Sequence, residues 1–224
     1  MPAGILFDFD GTLADSRPAI VATMRHTFAV HQHPVPGDDA IRHIIGYGLA
    51  KGFELLVPSL DAHAVALWVE TYRQHYPQQD AITQLYPGAH KLLASLSARG
   101  IPLMLVSNKT QAALVPALER LGIAAFFDLV VGEMSGRPLK PDARLWDDHI
   151  RPQWPVGDPD QLLMVGDTPT DIRFGKNCGI PVCWVDFGYG HPDDCLPLAP
   201  EAMASDLPAV LDYVDQRRSV ASIR

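Results

Sequence analysis

Asp8-Phe9-Asp10-Gly11-Thr12-Leu13 directly follows the apolar run Gly4 to Phe7. The apolar run predicts a short buried strand of a parallel sheet. Two carboxylates this close raise each other's pKa unless a cation neutralises them. Gly11 permits a tight turn with close backbone approach, and Thr12 adds a hydroxyl to that turn. Although Asp and Gly are also ordinary turn residues, the stretch favours a divalent metal and a phosphoryl group at the end of a strand.

Three further polar clusters follow apolar runs later in the chain. Each run predicts a strand, and the polar residues come where the run ends or shortly after it. The pairs of run and cluster are Ile101 to Val106 with Ser107-Asn108, Leu129 to Val131 with Lys140, and Leu162 to Val165 with Gly166-Asp167 and Asp171. Because ligands bind outside the carboxyl ends of the strands in an open α/β sheet, the pattern predicts one catalytic site built from all four clusters.

In order and spacing, the four clusters resemble motifs one to four of the haloacid-dehalogenase-like hydrolases. The resemblance is to the phosphatase branch, and within it to the phosphoglycolate phosphatases and their near relatives. It extends from Ile5 to about Gly190. The residues that carry it are Asp8 to Leu13 with Asp15-Ser16, Ser107-Asn108-Lys109, Lys140-Pro141-Asp142, and Val165-Gly166-Asp167-Thr168 with Asp171.

The segment from residue 15 to residue 84 contains no convincing strand. Apolar residues recur at helical spacing from Ile20 to Phe28, and Asp61 to Tyr76 predicts a second, long amphipathic helix. From Pro87 onward strands and helices alternate, which predicts a doubly wound parallel sheet with helices on both faces. The resemblance implies a Rossmann-like catalytic core of residues 1–14 and 85–224, with residues 15–84 inserted after the first strand as a small α-helical cap domain.

Three segments of the second half complete the expected fold. Ala143 to His149 predicts a helix, and Leu207 to Val214 predicts a final helix. His191 to Pro200, which precedes the final helix, predicts a loop.

The resemblance implies a role for each acidic residue of the site. Asp8 would be the nucleophile that attacks phosphorus and forms an aspartyl phosphate. Asp10 would protonate the leaving alkoxide and then remove a proton from the hydrolytic water. Lys140 would neutralise charge beside the nucleophile. Mg²⁺ would bind the Asp8 carboxylate, the Asp10 backbone carbonyl and Asp167, whereas Asp171 either ligates the metal, acts through water or orients Lys140.

The expected substrate is a small phosphate ester, with 2-phosphoglycolate as the first choice. Ser107 and Asn108 would donate hydrogen bonds to phosphoryl oxygens, together with the first turn at Gly11 and Thr12. A cation in the cap would suit the carboxylate of 2-phosphoglycolate, although Arg and Lys on a small helical cap are usually solvated. The expected cap contacts lie around Gly46-Tyr47-Gly48 and are Arg42, Tyr47 and Lys51.

The chain's formal net charge of −8 argues against broad binding to nucleic acid or to a membrane surface. No apolar run approaches membrane-spanning length, and the N-terminus lacks a basic and then apolar signal segment, so we expect a cytoplasmic protein. The three cysteines fit neither a disulfide framework nor a metal knuckle. Since the charge argues against nucleic acid and membranes, the expected partner is a small molecule. The protein is expected to be a monomer or a homodimer.

Several other functions share part of this pattern. A β-phosphoglucomutase-like isomerase would use the same nucleophile and metal and would differ mainly in its cap contacts. A phosphonoacetaldehyde hydrolase would need a cap lysine that forms a Schiff base, for which Lys51 is the candidate. A receiver domain has adjacent acidic residues and no helical insert, and an inactive binding relative would not need every polar residue that is present here. These alternatives stay open in the sequence.

Overall fold

Six parallel strands form the central sheet of the protein. The computed structural model describes residues 1–154 and 156–221. The strands, in chain order, are β1 (Gly4–Phe7), β4 (Leu103–Thr110), β5 (Leu129–Glu133), β6 (Leu162–Gly166), β7 (Val182–Val185) and β8 (Ala202–Ala204). Their order across the sheet is β5-β4-β1-β6-β7-β8, and each neighbouring pair is parallel. The short strand β8 was not predicted.

Apart from the edge strand β8, the sheet is buried on both faces, because each of the other five strands alternates its side chains between two apolar clusters. Ile5 and Phe7 of β1 enter one cluster, and Leu6 enters the other; all three are fully buried. Strands buried on both faces have continuous apolar sequences rather than alternating ones, as the runs in this chain do. The predicted doubly wound parallel α/β fold is confirmed.

Helices cover both faces of the sheet. The first face packs against α5 (Ala89–Ala98), α6 (Gln111–Arg120) and α9 (Leu207–Ala221). The second face packs against α7 (Pro169–Cys178) and a π-helical turn, Leu145–Ile150. The helix predicted from Ala143 to His149 is thus a π-helical turn. A π-helix is wider than an α-helix, and the periodicity of the sequence does not distinguish the two.

Four helices that follow the first strand of the sheet form a helical insertion, residues 17–79. They are α1 (Arg17–Val30), α2 (Asp38–His43), α3 (Leu49–Leu56) and α4 (Ala62–Gln79). The insertion has its own apolar cluster, in which Phe28 and Phe53 pack edge-on against Trp68, with ring centroids 4.8 and 5.5 Å away. Trp68 of α4 is therefore part of a buried core. The proposed boundaries of a separate cap domain stay a prediction.

Two short strands connect the insertion to the sheet. β2 (Ala14–Asp15) pairs antiparallel with β3 (Gln84–Leu85). The prediction that residues 15–84 contain no strand is therefore wrong at its two ends. The two connecting segments run side by side, so their backbone groups pair, but two residues are too few to produce an alternating sequence pattern.

The segment from His191 to Pro200 is more regular than predicted. It contains the short helix α8 (Pro192–Cys195) and a 3₁₀ turn, Leu196–Leu198, so the loop prediction is wrong there. The His191 imidazole accepts a hydrogen bond from the Asp193 amide at the start of the helix. One helical turn is too short to show a 3.6-residue period. Among residues 1–154 and 156–221, no helix combines the length and apolar character needed to span a membrane.

Candidate active site

The carboxyl ends of three neighbouring strands bring the sequence motifs together. Asp8 follows β1, Ser107 lies near the end of β4, and Asp167 follows β6. The parallel register aligns Phe7 with Leu105 and with Val165, so the residues after these positions share one end of the sheet. Asp8, Ser107 and Asp167 are all buried. The structure thus brings the predicted polar clusters together, as the topology of an open α/β sheet requires.

Lys140 lies at the centre of the acidic cluster. Its Nζ donates hydrogen bonds to Asp8 Oδ1 at 2.6 Å, Asp171 Oδ1 at 2.7 Å and the Val106 carbonyl at 2.8 Å. Only 2% of the lysine side chain is exposed. Burial lowers the pKa of Lys140, but the Asp171 and Asp8 carboxylates outweigh this effect and raise the net pKa. The ammonium is therefore charged and holds both carboxylates.

Asp8, Asp167 and Asp171 form a group of three buried carboxylates, with one oxygen of each lying within 4.8 Å of the others. Burial raises the pKa of Asp8 to about 7, against the opposing effect of Lys140. Burial, followed by the charges of Asp171 and Asp8, raises the pKa of Asp167 well above its usual range. One lysine thus leaves negative charge uncompensated. Hard oxygen donors around excess negative charge fit a divalent cation such as Mg²⁺.

Asp171 uses both carboxylate oxygens within the protein. Oδ1 accepts from Lys140, and Oδ2 accepts from the Thr168 amide at 3.0 Å and the Thr168 hydroxyl at 2.8 Å. The contacts with Thr168 also cap the first turn of α7. Of the three roles left open for Asp171, these contacts favour the orientation of Lys140. Ligation of a metal by Asp171 stays a prediction.

The turn after β1 holds Asp167. The Thr12 hydroxyl donates to Asp167 Oδ1 at 2.9 Å, and the Tyr189 amide donates to Oδ2 at 2.7 Å. Gly11 has a φ of +89°, and a Cβ at this position would overlap the Asp167 carboxylate. The amides of Gly11 and Thr12 donate to carbonyls within the turn, those of Ala14 and Phe9. The structure therefore gives Gly11 and Thr12 a supporting position behind Asp167 rather than free donors for a substrate.

Asn108 connects three segments of the chain. Its Nδ2 donates to the carbonyls of Gly46 and Lys140, both at 2.9 Å, and its Oδ1 accepts from the Lys140 amide, also at 2.9 Å. The Ser107 hydroxyl accepts from the Lys109 amide at 3.2 Å. Ser107 and Asn108 both line a cavity between the helical insertion and the carboxyl end of the sheet. The Asn108 amide is thus engaged by the protein itself, and its donation to a phosphoryl oxygen stays a prediction.

Asp10 has a partner, Lys109, for which the sequence predicted no role. Lys109 Nζ lies 3.1 Å from Asp10 Oδ1, and it donates to the Tyr76 hydroxyl at 2.7 Å. Burial lowers the pKa of Lys109, but the charges of Asp10 and Tyr76 outweigh it and raise the net pKa. The position of Lys109 inside the second motif was a signal available in the sequence. Tyr76 carried none, because its helical spacing is typical of a core residue.

Only one of the three predicted cap contacts faces the cavity. Tyr47 lines it. Arg42 donates instead to the carbonyls of Tyr189 at 3.2 Å and Gly188 at 3.5 Å. Lys51 is 57% exposed and pairs with Glu54 at 3.1 Å. The structure thus does not bring Arg42 and Lys51 to the cavity. Arg42 is bound to the backbone of Gly188 and Tyr189, and Lys51 extends from α3 into solvent.

A cavity of about 860 Å³ lies between the helical insertion and the carboxyl end of the sheet. Asp8, Asp10 and Lys109 line its inner end. Arg73 of α4 and Glu133 of β5 also line it and form an ion pair at 2.7 Å. The apolar part of the wall consists mainly of Ile20, Met24, Ile44, Ile45, Tyr47, Leu49, Tyr72, Tyr76 and Met134. The wall of the cavity thus combines the carboxylates of Asp8 and Asp10 with two cations, Lys109 and Arg73.

Known proteins are similar to this chain in sequence and in fold. Residues 5–185 match the model of a family described as haloacid dehalogenase-like hydrolase. A phosphoglycolate phosphatase from Agrobacterium fabrum is 32% identical over 213 residues, covering 92% of this chain and 89% of the relative. A pyrophosphatase (PpaX) from Halalkalibacterium halodurans is 27% identical over 211 residues, covering 94% and 95%. A solved haloacid dehalogenase-like hydrolase from Streptococcus pneumoniae has a TM-score of 0.84 at 28% identity, covering 94% of this chain and 97% of its own.

Proposed function

This chain is a phosphatase of the haloacid dehalogenase-like hydrolase family, and we propose that it hydrolyses small phosphomonoesters through an aspartyl phosphate on Asp8. The observation that carries the proposal is the contact of 2.6 Å between Lys140 Nζ and Asp8 Oδ1. The lysine fixes one oxygen of the carboxylate and leaves Oδ2 as the oxygen that we assign to attack. Asp8 also lines the cavity, where a phosphoryl group has access to it.

The proposed reaction has two steps. In the first, Asp8 Oδ2 attacks phosphorus, the bond between phosphorus and the ester oxygen breaks, and Asp10 donates a proton to the departing alkoxide. In the second, water attacks the same phosphorus, Asp10 accepts a proton from the water, and Asp8 is released together with inorganic phosphate. Lys140 stays between Asp8 and Asp171 in both steps and offsets negative charge beside the phosphoryl group.

Mg²⁺ is the cation that we propose for the three-carboxylate group. Asp8 and Asp167 would hold it with their carboxylates, and Asp10 with its backbone carbonyl. Bound there, the ion would offset the negative charge of the phosphoryl oxygens. The hard oxygen donors, together with the raised pKa of Asp8 and Asp167, support this assignment.

We propose 2-phosphoglycolate as the first substrate to test. The support is the 32% identical relative from Agrobacterium fabrum that carries the name phosphoglycolate phosphatase. In the described part of the chain, the Arg and Lys residues that line the cavity are Arg73 and Lys109, and each is paired with a carboxylate. Arg73 is 45% exposed and therefore the cation with more freedom to turn toward the carboxylate of a substrate.

The experiment is a measurement of phosphate release from a panel of phosphomonoesters, with Mg²⁺ or with EDTA. The panel contains 2-phosphoglycolate, sugar phosphates and nucleoside monophosphates, with pyrophosphate as a further compound. Asp8→Asn removes the nucleophile with little change of shape, and Asp39→Asn makes the same exchange at an exposed position of α2. We expect Mg²⁺-dependent turnover that Asp8→Asn abolishes and Asp39→Asn retains.

Two results would contradict the proposal. Phosphate release by Asp8→Asn at the wild-type rate would exclude Asp8 as the nucleophile. Conversion of β-glucose 1-phosphate to glucose 6-phosphate, without release of phosphate from any panel member, would indicate the mutase instead.

A further inference from the structure

Lys109 is a buried cation that connects the sheet to the helical insertion. It lies near the end of β4, and its side chain is only 7% exposed. Its Nζ contacts Asp10 Oδ1 at 3.1 Å and Oδ2 at 3.5 Å. It donates to the Tyr76 hydroxyl at 2.7 Å and lies 4.2 Å from the centroid of the same ring. Asp10 belongs to the turn after β1, whereas Tyr76 belongs to α4.

The contacts of Lys109 indicate a role in the reaction more than a role in the stability of the fold. Removing an ammonium group from water is costly, and an apolar side chain in such a position is often as stabilising as an ion pair. Lys109 and Asp10 both line the cavity beside Asp8. A charge retained at the wall of a reaction cavity, rather than in an apolar core, points to a role in the reaction.

Tyr76 gives this contact a second property, since it comes from the insertion. Without the Tyr76 side chain, Lys109 would keep Asp10 as its side-chain hydrogen-bond acceptor but would lose the hydroxyl and the aromatic ring that confine its Nζ. A lysine side chain is flexible, so Lys109 would be more mobile with fewer groups to hold it. The Asp10 carboxylate is therefore held at a fixed place only where α4 packs against the end of the sheet.

We propose that Lys109, held by Tyr76, is a positioning residue that fixes the Asp10 carboxylate for proton transfer, so that this group is in place when the insertion covers the cavity. The inference rests on the proposed function, in which Asp10 transfers the protons. Proton transfer requires the donor and acceptor within hydrogen-bond distance, and misplacement by about 1 Å can cost about 100-fold in rate.

The test compares two substrates with different needs for a proton. An alkyl phosphate such as 2-phosphoglycolate has a basic leaving group that requires protonation, whereas 4-nitrophenyl phosphate has a leaving group that departs as a stable anion. We expect Lys109→Met to lower kcat/KM for the alkyl ester by about 10- to 100-fold more than for the aryl ester. Lys109→Arg, which keeps the cation, should recover most of this difference.

Tyr76→Phe provides a second variant that keeps the ring and removes only the hydroxyl. We expect it to change the ratio between the two substrates in the same direction, by about 3- to 10-fold, because one hydrogen bond to a charged group is lost. Two controls make the same exchanges elsewhere: Lys91→Met at an exposed position of α5, and Tyr213→Phe, whose hydroxyl donates to Glu201. Neither should change the ratio.

A second readout follows the hydrolysis of the aspartyl phosphate. With 4-nitrophenyl phosphate, Lys109→Met should release nitrophenol in a rapid burst comparable to the enzyme concentration, because only the second step then depends on Asp10. A variant that is merely less stable would contain fewer active molecules and would show no new burst.

The outcomes separate this inference from the proposed function. If wild type turns over both esters but Lys109→Met and Tyr76→Phe lower both equally, Lys109 has a structural or phosphate-binding role and the inference is wrong. The same conclusion follows if neither variant changes either rate. If wild type itself releases no phosphate in the presence of Mg²⁺, the proposed function fails before the variants are compared.

Discussion

Arg73 Nη2 and Glu133 Oε1 lie 2.7 Å apart across the cavity, so that an ion pair joins α4 of the helical insertion to β5 of the sheet. Arg73 is 45% exposed, and exposed ion pairs contribute little to stability. We therefore expect the pair to contribute little to the free energy of unfolding, while Arg73 lies where a substrate in the cavity could contact it.

We expect Arg73→Met to raise KM for 2-phosphoglycolate by about 10-fold, because a charge-assisted hydrogen bond to the substrate carboxylate is lost. KM for a phosphate ester without a carboxylate should stay within about 2-fold, and the free energy of unfolding should fall by less than about 1 kcal/mol. Steady-state kinetics and urea denaturation measure these values. Arg25→Met, which breaks the exposed pair with Asp38, is the control. An equal rise in KM for both esters would exclude Arg73 as the carboxylate contact.

Replacement of Lys140 should damage both stability and activity. Lys140→Met leaves Asp8 and Asp171 buried without their cation, and we expect a loss of about 3 to 5 kcal/mol in the free energy of unfolding, with no detectable phosphate release. Chemical denaturation in EDTA isolates the effect from metal binding. The same exchange at the exposed Lys176 should change neither quantity. A Lys140→Met protein as stable as wild type would show that the buried charges are compensated in another way.

Gly11→Ala should be more damaging than the same exchange at another glycine with positive φ. Gly11 and Gly136 have φ of +89° and +77°, but a Cβ on Gly136 meets no heavy atom within 4 Å. We expect about 1 kcal/mol of strain at Gly136 and, at Gly11, a greater loss of stability together with a loss of most activity, since the Asp167 carboxylate must move. Urea denaturation and phosphate release measure both variants. Equal effects at the two positions would indicate that backbone strain alone constrains Gly11.

Mg²⁺ should stabilise the folded protein. Negative charge is uncompensated at the three-carboxylate group, and a ligand present at about 100 times its Kd stabilises by about 2.7 kcal/mol. We therefore expect Mg²⁺ to raise the Tm of wild type by about 5 to 10 °C over the value in EDTA. Asp167→Asn should lose most of this rise, and Asp39→Asn should retain it. A rise that Asp167→Asn retains in full would place the bound ion elsewhere.

Stability should fall in mild acid because of histidines in the insertion. Burial lowers the pKa of His31, and burial together with His26 lowers the pKa of His75, from the ordinary value of 6.5. The unfolded chain then binds more protons than the folded protein, so the free energy of unfolding decreases as the pH falls below about 6.5. Both side chains are half-buried, so solvent screens part of the effect and we expect it to be small.

The measurement is Tm between about pH 7.5 and pH 5.5. We expect the decrease in Tm to be about 1 to 2 °C smaller in the double variant His31→Gln/His75→Gln than in wild type. His63→Gln, at an exposed position of α4, should follow the wild-type curve. Parallel curves for the double variant and wild type would exclude these two histidines as the cause.

The sequence was sufficient to predict the parallel sheet, apart from its edge strand β8, and the place of the acidic cluster. Apolar runs mark strands buried on both faces, and in a parallel sheet the residues that follow such runs meet at one end. Asp8, Asp167 and Lys140 therefore meet although they lie far apart in the chain. The strands β2 and β8 and the helix α8 were not predicted, since elements of two to four residues show no periodicity.

The contacts of the insertion could not be predicted in the same way. Helical periodicity tells which face of a helix is apolar, but it does not tell where a polar residue at the border of that face points. Arg42 and Lys51 lie near the glycine turn in sequence, yet one bonds backbone carbonyls and the other lies in solvent. Tyr76 reads as core from its spacing, although its hydroxyl contacts a cation at the cavity. These positions depend on how α4 packs against the sheet.

The backbone of Tyr189 mechanically couples the acidic cluster to the insertion. Its amide donates to Asp167 Oδ2 at 2.7 Å, and its carbonyl accepts from Arg42 of α2 at 3.2 Å, so that a single residue links the two. We therefore expect a displacement of α2 to reach the Asp167 carboxylate through Arg42 and the backbone of Tyr189. Because such coupling acts in both directions, a cation that fixes Asp167 would also restrict the movement of the insertion.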